Sequence, residues 1–554
     1  MSLPPSAQPG QFPEPPFNPG PGGAKPRSAV LLGVLIGVLV FAVVAAGFAG
    51  IKLLRNSNDD TPAAPAAGAT TPTPGKPTPS SAPTSALPAT DPALARYYDQ
   101  KLAWKSCDGG SCTTMKVPLD YADPNGRSIG IAVFKAPATD ASARLGSLVV
   151  NPGGPGGSGI DFAASGAAQF GDVLTASYDI VGFDPRGVGK SDPLDCASTG
   201  QLDAMLAYDQ SPDNRAERQQ LDRLVATVGR GCLARSGDLA RHMSTQEAAR
   251  DMDILRAALG EPKLDYFGAS YGTFLGATYA DLFPKRVGRF VLDGAIDPAL
   301  SNADLSLQQA RGFETALRAY VKDCVSSGNC VLGSTVDQGT KRIKAFLDQV
   351  AANPLPTGKP RKLTEGWALL GIFFPLYAKS LWPTLTQALQ QAINSGNGAL
   401  LLYLADYYAA RGPNAYKDNS IEALYAVNCL DHDDYIPTEQ VPQHFAAFEK
   451  ASPTFGRVFA FSLSSCSVWP VKSRKHTVAL HAKGAPPIVV IGTTRDPATP
   501  LAWAQALARE LDSGRLITRD GDGHTGFNQG NDCVDHAVEA WLVSGTVPKR
   551  NLMC

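Results

Sequence analysis

The sequence predicts an α/β protein in which a mostly parallel sheet is covered by helices on both faces. Short apolar runs rich in β-branched residues alternate with segments of helical periodicity, the pattern of parallel sheets in α/β proteins. The helix predicted over 246–259 places Met252 and Leu255 on one face. The predicted strands are residues 129–134, 147–151, 178–183, 264–267, 290–292, 487–491 and 516–518. Ligands of such sheets bind at the carboxyl ends of the strands.

The alternation of strands and helices stops between about residues 300 and 475. This part of the sequence indicates mainly helices and no clear strand. The simplest interpretation is a large helical cap at 300–475, inserted into the sheet before the strand at 487–491. The α/β core then has two parts, 93–299 and 476–554.

The residues before the core have three different compositions. Residues 1–28 are rich in Pro and Gly and are predicted to be a disordered tail. Residues 29–51 carry no charged side chain, and as a helix they would extend roughly 35 Å, enough to cross a bilayer. Residues 52–92 are rich in Pro, Ala and Thr, which predicts a semi-rigid linker. We therefore expect one N-terminal transmembrane signal anchor, with a long cleaved signal as the alternative.

Charge and cysteine content narrow the class of protein and its compartment. The 554 residues include 50 Lys and Arg against 51 Asp and Glu without a basic block, which argues against a nucleic-acid-binding protein. The 10 Cys all follow Lys105 and allow five disulfides if the core faces an oxidising compartment. No C-x-x-C pair is present, so no zinc site is predicted. We expect the core to lie outside the cytoplasm, and to be secreted if the N-terminal segment is cleaved.

A candidate nucleophile follows the strand predicted at 264–267. Residues 268–272 form a G-x-S-x-G motif centred on Ser270, and an apolar helix is predicted after it. In this setting the serine lies on a sharp strand-to-helix turn, although the same sequence would also suit a purely structural glycine-rich turn. A serine hydroxyl needs a base, and the base needs an acid that orients it.

The base and the acid are expected to follow Ser270 in the order acid, then His. His524 lies in a glycine-rich loop after the strand predicted at 516–518, whereas His536 falls inside the final predicted helix. Asp496 lies on the loop after the strand predicted at 487–491, and Asp293 is the alternative acid. We predict His524 as the base and Asp496 as its acid.

The oxyanion of an acyl-transfer reaction needs two N–H donors. The backbone N–H of Tyr271 is one candidate, because Tyr271 follows the serine. The second is predicted to be Gly154, with Gly153 as the alternative, in the glycine-rich loop 151–159. This loop lacks the Lys-Ser/Thr ending of a phosphate-binding P-loop.

These motifs together resemble the secreted tripeptidyl aminopeptidase branch of the α/β-hydrolase superfamily, which is related to the prolyl iminopeptidases. Prolyl iminopeptidases carry a His before Gly-Gly-Pro-Gly, where this chain has Pro152, and this departure favours the tripeptidyl branch. The matching segments are 117–121, 151–159, 184–191, 268–273, 291–294, 429–431, 496–500, His524 and the tail 533–554.

The resemblance implies an α/β-hydrolase fold and release of short peptides, typically tripeptides, from free N-termini. It implies Ser270 as nucleophile, His524 as base and Asp496 as acid, with no cofactor. The cap would bind the α-ammonium of the substrate through carboxylates. Asp431 is a candidate for this role, although its acidic run 431–434 would equally suit a solvated loop, and a metal site there is disfavoured.

We also predict that the chain is a monomer with disulfides between neighbouring cysteines, although sequence alone does not determine the connectivity of so many. The predicted pairs are Cys107–Cys112, Cys196–Cys232, Cys324–Cys330, Cys429–Cys466 and Cys533–Cys554. Three other functions remain open: an esterase or lipase with the same triad, an aminopeptidase that releases single residues, and a non-catalytic binding module.

Overall fold

The computed structural model describes residues 92–473 and 478–554, in which one sheet of 10 strands forms the centre of the molecule. The strands are β1 (Lys105–Cys107), β2 (Gly110–Pro118), β3 (Ser128–Ala136), β4 (Gly146–Asn151), β5 (Tyr178–Phe183), β6 (Leu264–Ala269), β7 (Val287–Asp293), β8 (Ile488–Arg495), β9 (Gly514–Asp522) and β10 (Leu552–Met553). Their order is β1-β2-β3-β5-β4-β6-β7-β8-β9-β10. The first three neighbouring pairs in this order, which join β1, β2, β3 and β5, are antiparallel, and all the pairs after β5 are parallel. The mostly parallel sheet is the predicted one.

Every run predicted as a strand overlaps a strand of this sheet, whereas β1, β2 and β10 were not predicted. In β2, buried Met115 and Val117 alternate with the exposed Lys116, and the first half of the strand is only partly buried. Strand β2 therefore lacks the continuous apolar run that predicts a strand buried on both faces. The strand β10 has only 2 residues and is too short to leave any pattern.

Helices cover both faces of the sheet and fill the predicted insertion. They are α1 (Ala95–Tyr98), α2 (Gly159–Ala164), α3 (Ala167–Ser177), α4 (Thr199–Ala207), α5 (Arg215–Ser236), α6 (Thr245–Ala258), α7 (Tyr271–Leu282), α8 (Asn302–Ser326), α9 (Val336–Ala352), α10 (Glu365–Leu376), α11 (Trp382–Ser395), α12 (Ala399–Tyr408), α13 (Ser420–Asp431), α14 (Phe445–Ala451), α15 (Gly456–Phe461), α16 (Leu501–Glu510) and α17 (Asp532–Glu539). Between β7 and β8 the described residues contain α8 to α15 and no strand of the sheet. The helical character of the insertion is as expected, and its limits at 300 and 475 stay a prediction.

Aromatic side chains hold the insertion together, and its helix α8 contacts the core. Phe313 of α8 has its ring centroid 4.6 Å from that of Phe373 and 5.3 Å from that of Phe459. Such ring pairs contribute about 0.5–1.5 kcal/mol each beyond their area burial. A Cβ atom on Gly312 would lie 2.5 Å from the carbonyl oxygen of Pro497. Helix α8 therefore packs directly on the loop that follows β8.

A buried ion pair fastens the loop after β5 to α6. The guanidinium of Arg186 donates to both carboxylate oxygens of Asp251, over 2.8 Å and 2.7 Å. It also donates to the carbonyl of Leu119, and the Tyr121 hydroxyl donates to Asp251. Removing one partner of such a pair costs about 3–5 kcal/mol, because the other charge is left buried. This part of the family motif at 184–191 therefore has a structural role.

The cysteines pair as predicted, in neighbouring order along the chain. The disulfides are Cys107–Cys112, Cys196–Cys232, Cys324–Cys330, Cys429–Cys466 and Cys533–Cys554. The predicted tail (1–28), the predicted membrane anchor (29–51) and all but the last residue of the linker (52–92) lie outside the described residues. Within 92–473 and 478–554, no helix combines the length and the apolar character that a membrane span requires.

Candidate active site

Ser270 is the single residue between the end of β6 and the start of α7. Its backbone has φ +56° and ψ −126°, a conformation that L-residues rarely adopt, and its N–H donates to the Asp293 carbonyl of β7 over 2.8 Å. The turn requires glycines on both sides of the serine. A Cβ atom on Gly268 would lie 2.3 Å from the Gly272 carbonyl oxygen, and one on Gly272 would lie 2.7 Å from that of Asn151. The motif is therefore a tight strand-to-helix turn, as predicted.

His524 and Asp496 form a buried pair at the ends of β9 and β8. The imidazole Nδ1 lies 2.9 Å from each carboxylate oxygen of Asp496. The exposed fractions of His524 and Asp496 are 8% and 2%. Because a carboxylate accepts the Nδ1 proton, the neutral imidazole keeps Nε2 as a proton acceptor.

Backbone N–H groups and one hydroxyl fix the orientation of the Asp496 carboxylate. Its oxygens accept from the N–H groups of Ala498, Thr499 and Thr525 at 2.9–3.1 Å. The Thr499 hydroxyl donates to Asp496 Oδ2 over 3.0 Å and lies 3.2 Å from His524 Nδ1. The role of Thr499 was not predicted, although the Asp-Pro-Ala-Thr sequence places it on the same short loop.

Asp293, the alternative acid, has different partners. Its two oxygens accept the backbone N–H groups of Gly526 and Phe527, each over 2.8 Å. Burial raises the pKa of Asp293 to about 7. The carboxylate bonded to His524 is therefore that of Asp496, and Asp293 instead holds the loop just after His524.

Ser270 and His524 both contact one short segment, residues 293–294. Ser270 is hydrogen-bonded to the carbonyl of Asp293, and a Cβ atom on Gly294 would lie 3.2 Å from His524 Cε1. Ser270 Oγ and His524 Nε2 are both buried, and neither has a hydrogen-bond partner among the described residues. A buried polar atom without a partner costs about 1–3 kcal/mol. The hydrogen bond between a nucleophile and its base is often long or poorly aligned without substrate, and it shortens in the substrate complex.

The predicted oxyanion loop packs against the serine turn. A Cβ atom on Gly153 would lie 2.7 Å from the Tyr271 backbone nitrogen, so only glycine fits at this contact. The N–H of Gly153 donates to Asn151 Oδ1 over 2.9 Å. This bond occupies the Gly153 N–H, so Gly154 remains our prediction for the second donor.

A cavity of about 120 Å³ opens beside this turn, between the core and the insertion. Tyr271 and Pro155 line it from the core. Most of its other walls are apolar or aromatic, among them Phe274, Leu305, Leu424, Tyr425, Tyr435 and Trp503. Apolar walls with a few polar groups are typical of ligand sites in proteins.

Asp431, predicted for the substrate α-ammonium, is not among the residues that line this cavity. Its carboxylate accepts the N–H and the hydroxyl of Thr245 over 2.9 Å and 2.5 Å. Asp297 and His432 line the cavity instead. Burial lowers the pKa of His432, and its buried Nδ1 has no partner among the described residues. Asp297 lies on the loop just after β7, and this strand-end position is the signal that could have identified it.

Asp120, His242 and Glu247 form the one group of potential metal ligands found in the described residues, with ligand atoms within 4.8 Å of one another. His242 Nδ1 is 2.8 Å from Glu247 Oε1, and Arg186 Nη1 is 3.6 Å from the same oxygen. This contact with Glu247 raises the pKa of His242. Glu247 already has His242 and Arg186 beside its carboxylate, and we assign no metal to this group.

Comparison with known proteins identifies the family. Residues 146–359 match the family model described as alpha/beta hydrolase fold, and residues 452–554 match the model described as TAP-like protein. The serine protease Hip1 of Mycobacterium tuberculosis is 35% identical over 465 residues, covering 80% of this chain and 87% of that protein. Carboxylesterase B of the same species is 35% identical over 453 residues, with coverage of 80% and 86%.

The tripeptidyl aminopeptidase of Streptomyces coelicolor is 31% identical over 485 residues, covering 83% of this chain and 87% of that protein. All three similarities extend over most of both chains, and the two family models match both ends of the core. The chain therefore belongs to the α/β-hydrolase family, among its TAP-like serine hydrolases.

Proposed function

We propose that this protein is a serine exopeptidase that releases short peptides, typically tripeptides, from free N-termini. The observation that carries the proposal is the buried Ser270 hydroxyl on its tight turn, next to the same backbone segment as the His524–Asp496 pair. A helical insertion covers the cavity beside this turn. The relatives named tripeptidyl aminopeptidase and serine protease support peptides as substrates.

The proposed reaction proceeds through an acyl-enzyme. Ser270 Oγ attacks the scissile carbonyl carbon and transfers its proton to His524 Nε2, while Asp496 stabilises the imidazolium through Nδ1–H. The N–H groups of Tyr271 and Gly154 bind the oxyanion. His524 then protonates the leaving amine, and a water molecule activated by the same imidazole hydrolyses the acyl-enzyme.

We assign recognition of the substrate α-ammonium to Asp297 in place of Asp431. A cation in a partly dry cavity needs a negative partner. Asp297 lines the cavity and is 8% exposed, whereas both oxygens of Asp431 are bonded to Thr245. Burial raises the pKa of Asp297, and the neighbouring carboxyl of Glu510 has its pKa raised by burial as well, so a cation bound there would relieve the cost of the buried charge.

An esterase with the same residues is the second candidate function. The relative named carboxylesterase B is as similar to this chain as the serine protease is. The nucleophile, base and oxyanion donors act equally on an ester and on an amide, so the lining of the cavity decides between them. Release of single residues would use the same machinery, and a non-catalytic module would leave the paired His524 and Asp496 without a role.

A substrate panel tests the proposal. The purified protein is assayed with tripeptide anilides, single-residue anilides and short-acyl esters, and with the N-acetylated form of the best tripeptide. We expect the free tripeptide anilide to have the highest kcat/KM, and acetylation to lower it by about tenfold or more, because the cation is lost. Turnover of esters alone would contradict the exopeptidase. A Ser270→Ala variant as active as wild type would contradict the nucleophile.

We also propose that residues 29–51 anchor the enzyme in a membrane, with a monomeric catalytic domain on the oxidising side. Five disulfides support an oxidising compartment, since they do not persist in a reducing cytoplasm. The full chain should remain with membranes after alkaline carbonate extraction, and a chain starting at Ala93 should be soluble and monomeric by light scattering. Release of the full chain by carbonate would contradict the anchor.

A further inference from the structure

We infer that helix α13 of the insertion braces both halves of the oxyanion hole, with Asp431 as the residue that positions Tyr271 through Thr245. The inference rests on the roles proposed above for Ser270, Tyr271 and Gly154. It concerns where the two N–H donors are held, not which substrate is bound.

One end of α13 reaches Tyr271 through a chain of two hydrogen bonds. The Tyr271 hydroxyl bonds to Thr245 Oγ1, and Thr245 Oγ1 lies 2.5 Å from Asp431 Oδ2. The Thr245 N–H also donates to Asp431 Oδ1 over 2.9 Å. Both Tyr271 and Thr245 are buried. The residue that presents the oxyanion donor is therefore tied through its own side chain to the insertion.

The direction of this chain follows from the number of protons. A carboxylate only accepts, so Thr245 gives its single hydroxyl proton to Asp431. Thr245 Oγ1 must then accept the proton of the Tyr271 hydroxyl, which burial keeps protonated by raising its pKa. Removing the Asp431 charge allows the Thr245 hydroxyl to turn towards other acceptors, and Tyr271 then loses a fixed partner.

The negative charge of Asp431 is unfavourable for α13 but favourable for the contact with α6. Asp431 is the last residue of α13, where the helix dipole disfavours a negative charge by about 0.3–1 kcal/mol. Thr245 is the first residue of α6, where the dipole favours one. The carboxylate thus joins the C-terminus of one helix to the N-terminus of another, and its cost on α13 is offset on α6.

The N-terminal end of α13 packs against the glycine-rich loop 151–159, which includes Gly154. A Cβ atom on Gly156 would lie 2.5 Å from the Ser420 carbonyl oxygen and 3.1 Å from the Ala423 Cβ. Gly156 has φ +105°, so this contact and its backbone conformation both require glycine. One helix therefore contacts the segments that carry both proposed donors.

Helix α13 is itself fixed from outside the site. The Asn419 side chain at its N-cap bonds to the backbone of Gly187, Gly189 and Leu194 at 2.8–3.0 Å. Glu422 accepts the N–H groups of Cys196 and Ala197, and Cys429 is joined to Cys466. Any shift of α13 along its axis would break these bonds and move both donor segments. The position of α13 therefore fixes the positions of both donors.

The test is a double-mutant cycle of Asp431→Asn and Tyr271→Phe, with kcat, KM and the Ki of a peptide aldehyde as readouts. The aldehyde forms a tetrahedral adduct whose oxygen occupies the oxyanion hole. We expect Asp431→Asn to lower kcat and to raise Ki about tenfold, with KM changed less than about twofold. In the Tyr271→Phe background, Asp431→Asn should add less than about a twofold loss.

The matched control is Asp348→Asn, which removes an exposed carboxylate of α9 that pairs with Lys344. It should leave all three readouts unchanged. Equal losses from Asp431→Asn in both backgrounds would overturn the link through Tyr271, and a change confined to KM would show that Asp431 binds substrate instead. If Asp431→Asn fails to fold, Thr245→Val replaces it in the same cycle.

The cycle is measured with an ester as well as a peptide. A wild-type protein that hydrolyses only the ester contradicts the exopeptidase, yet its kcat for the ester still tests the brace.

Discussion

The two sides of the cavity, core and insertion, are built in different ways. On the core side, Ser270, Asp496 and His524 each follow a parallel strand, and backbone hydrogen bonds hold all three. The Ser270 N–H donates to the carbonyl of Asp293 in β7, Asp496 accepts N–H groups of nearby loops, and the His524 N–H donates to the carbonyl of Tyr377 in the insertion. On the side of the insertion, Tyr425 belongs to α13 and its ring stacks on that of Trp469, whereas His432 directly follows the same helix. Strand ends fix the positions of the reacting atoms, whereas side chains of a helical layer can be substituted without altering the sheet. We therefore expect core variants to lose chemistry, and variants of the binding surface to lose selectivity.

The largest effect is expected at the core carboxylate that contacts His524. Asp496→Asn should lower kcat about 10⁴-fold with little change of KM, because the neutral side chain favours the wrong imidazole tautomer. Steady-state kinetics with the best substrate of the panel measures it.

The matched control for that variant is Asp293→Asn, at the end of the adjacent strand. Asp293 bonds to two backbone N–H groups and not to the imidazole. Its replacement should therefore lower thermal stability, and it should lower kcat much less than Asp496→Asn does. A kcat as low as that of Asp496→Asn would reverse the assignment of the acid.

The next effect concerns the amine of the substrate. Asp297→Asn should lower kcat/KM for a free tripeptide anilide about 10–100-fold, since a charged hydrogen bond is worth about 1.5–3 kcal/mol. The same variant should hydrolyse the N-acetylated substrate as fast as wild type does. Equal losses on both substrates would indicate that Asp297 has a structural role only.

A smaller effect is expected where the core loop meets the insertion. Gly156→Ala introduces a Cβ atom 2.5 Å from the Ser420 carbonyl and strains a backbone with φ +105°. Displacing the loop should lower kcat about tenfold, with KM nearly constant. Gly166→Ala is the control, because it also has positive φ (+54°) but no neighbour within 4 Å of a new Cβ. Similar losses in both variants would attribute the effect to backbone strain alone.

The smallest effect is one of stability and comes from the insertion. Burial, with Asp209 beside it, raises the pKa of Glu365 from 4.5 to about 8. The folded state therefore holds a proton that the unfolded state releases, and its stability falls as pH rises from 4.5 to about 8.

Glu365→Gln should remove this dependence and stabilise the protein above pH 8 by about 1–3 kcal/mol, with kcat unchanged. Chemical denaturation of both proteins across this pH range measures the difference. Parallel stability curves for Glu365→Gln and wild type would contradict the raised pKa.

The core could be predicted from sequence because its signals are local. Each central strand is a short apolar run, and Ser270, Asp496 and His524 stand directly after such runs. The partner of Asp431 could not be predicted in the same way. Thr245 is far from it in the chain, and an acidic run carries no sign of which hydroxyl it will meet. Strand β2, next to the edge strand β1, was missed for a related reason, since its partly buried and exposed residues form a strand only by pairing with β1 and β3.

The left-handed backbone of Ser270 also has an evolutionary consequence. Glycine would adopt this conformation at no steric cost, whereas serine pays of order 1–3 kcal/mol for it. A Ser270→Gly protein should thus be inactive yet harder to unfold than its parent. Substitution of Ser270 by glycine would therefore increase stability, and only selection for catalytic activity retains the serine.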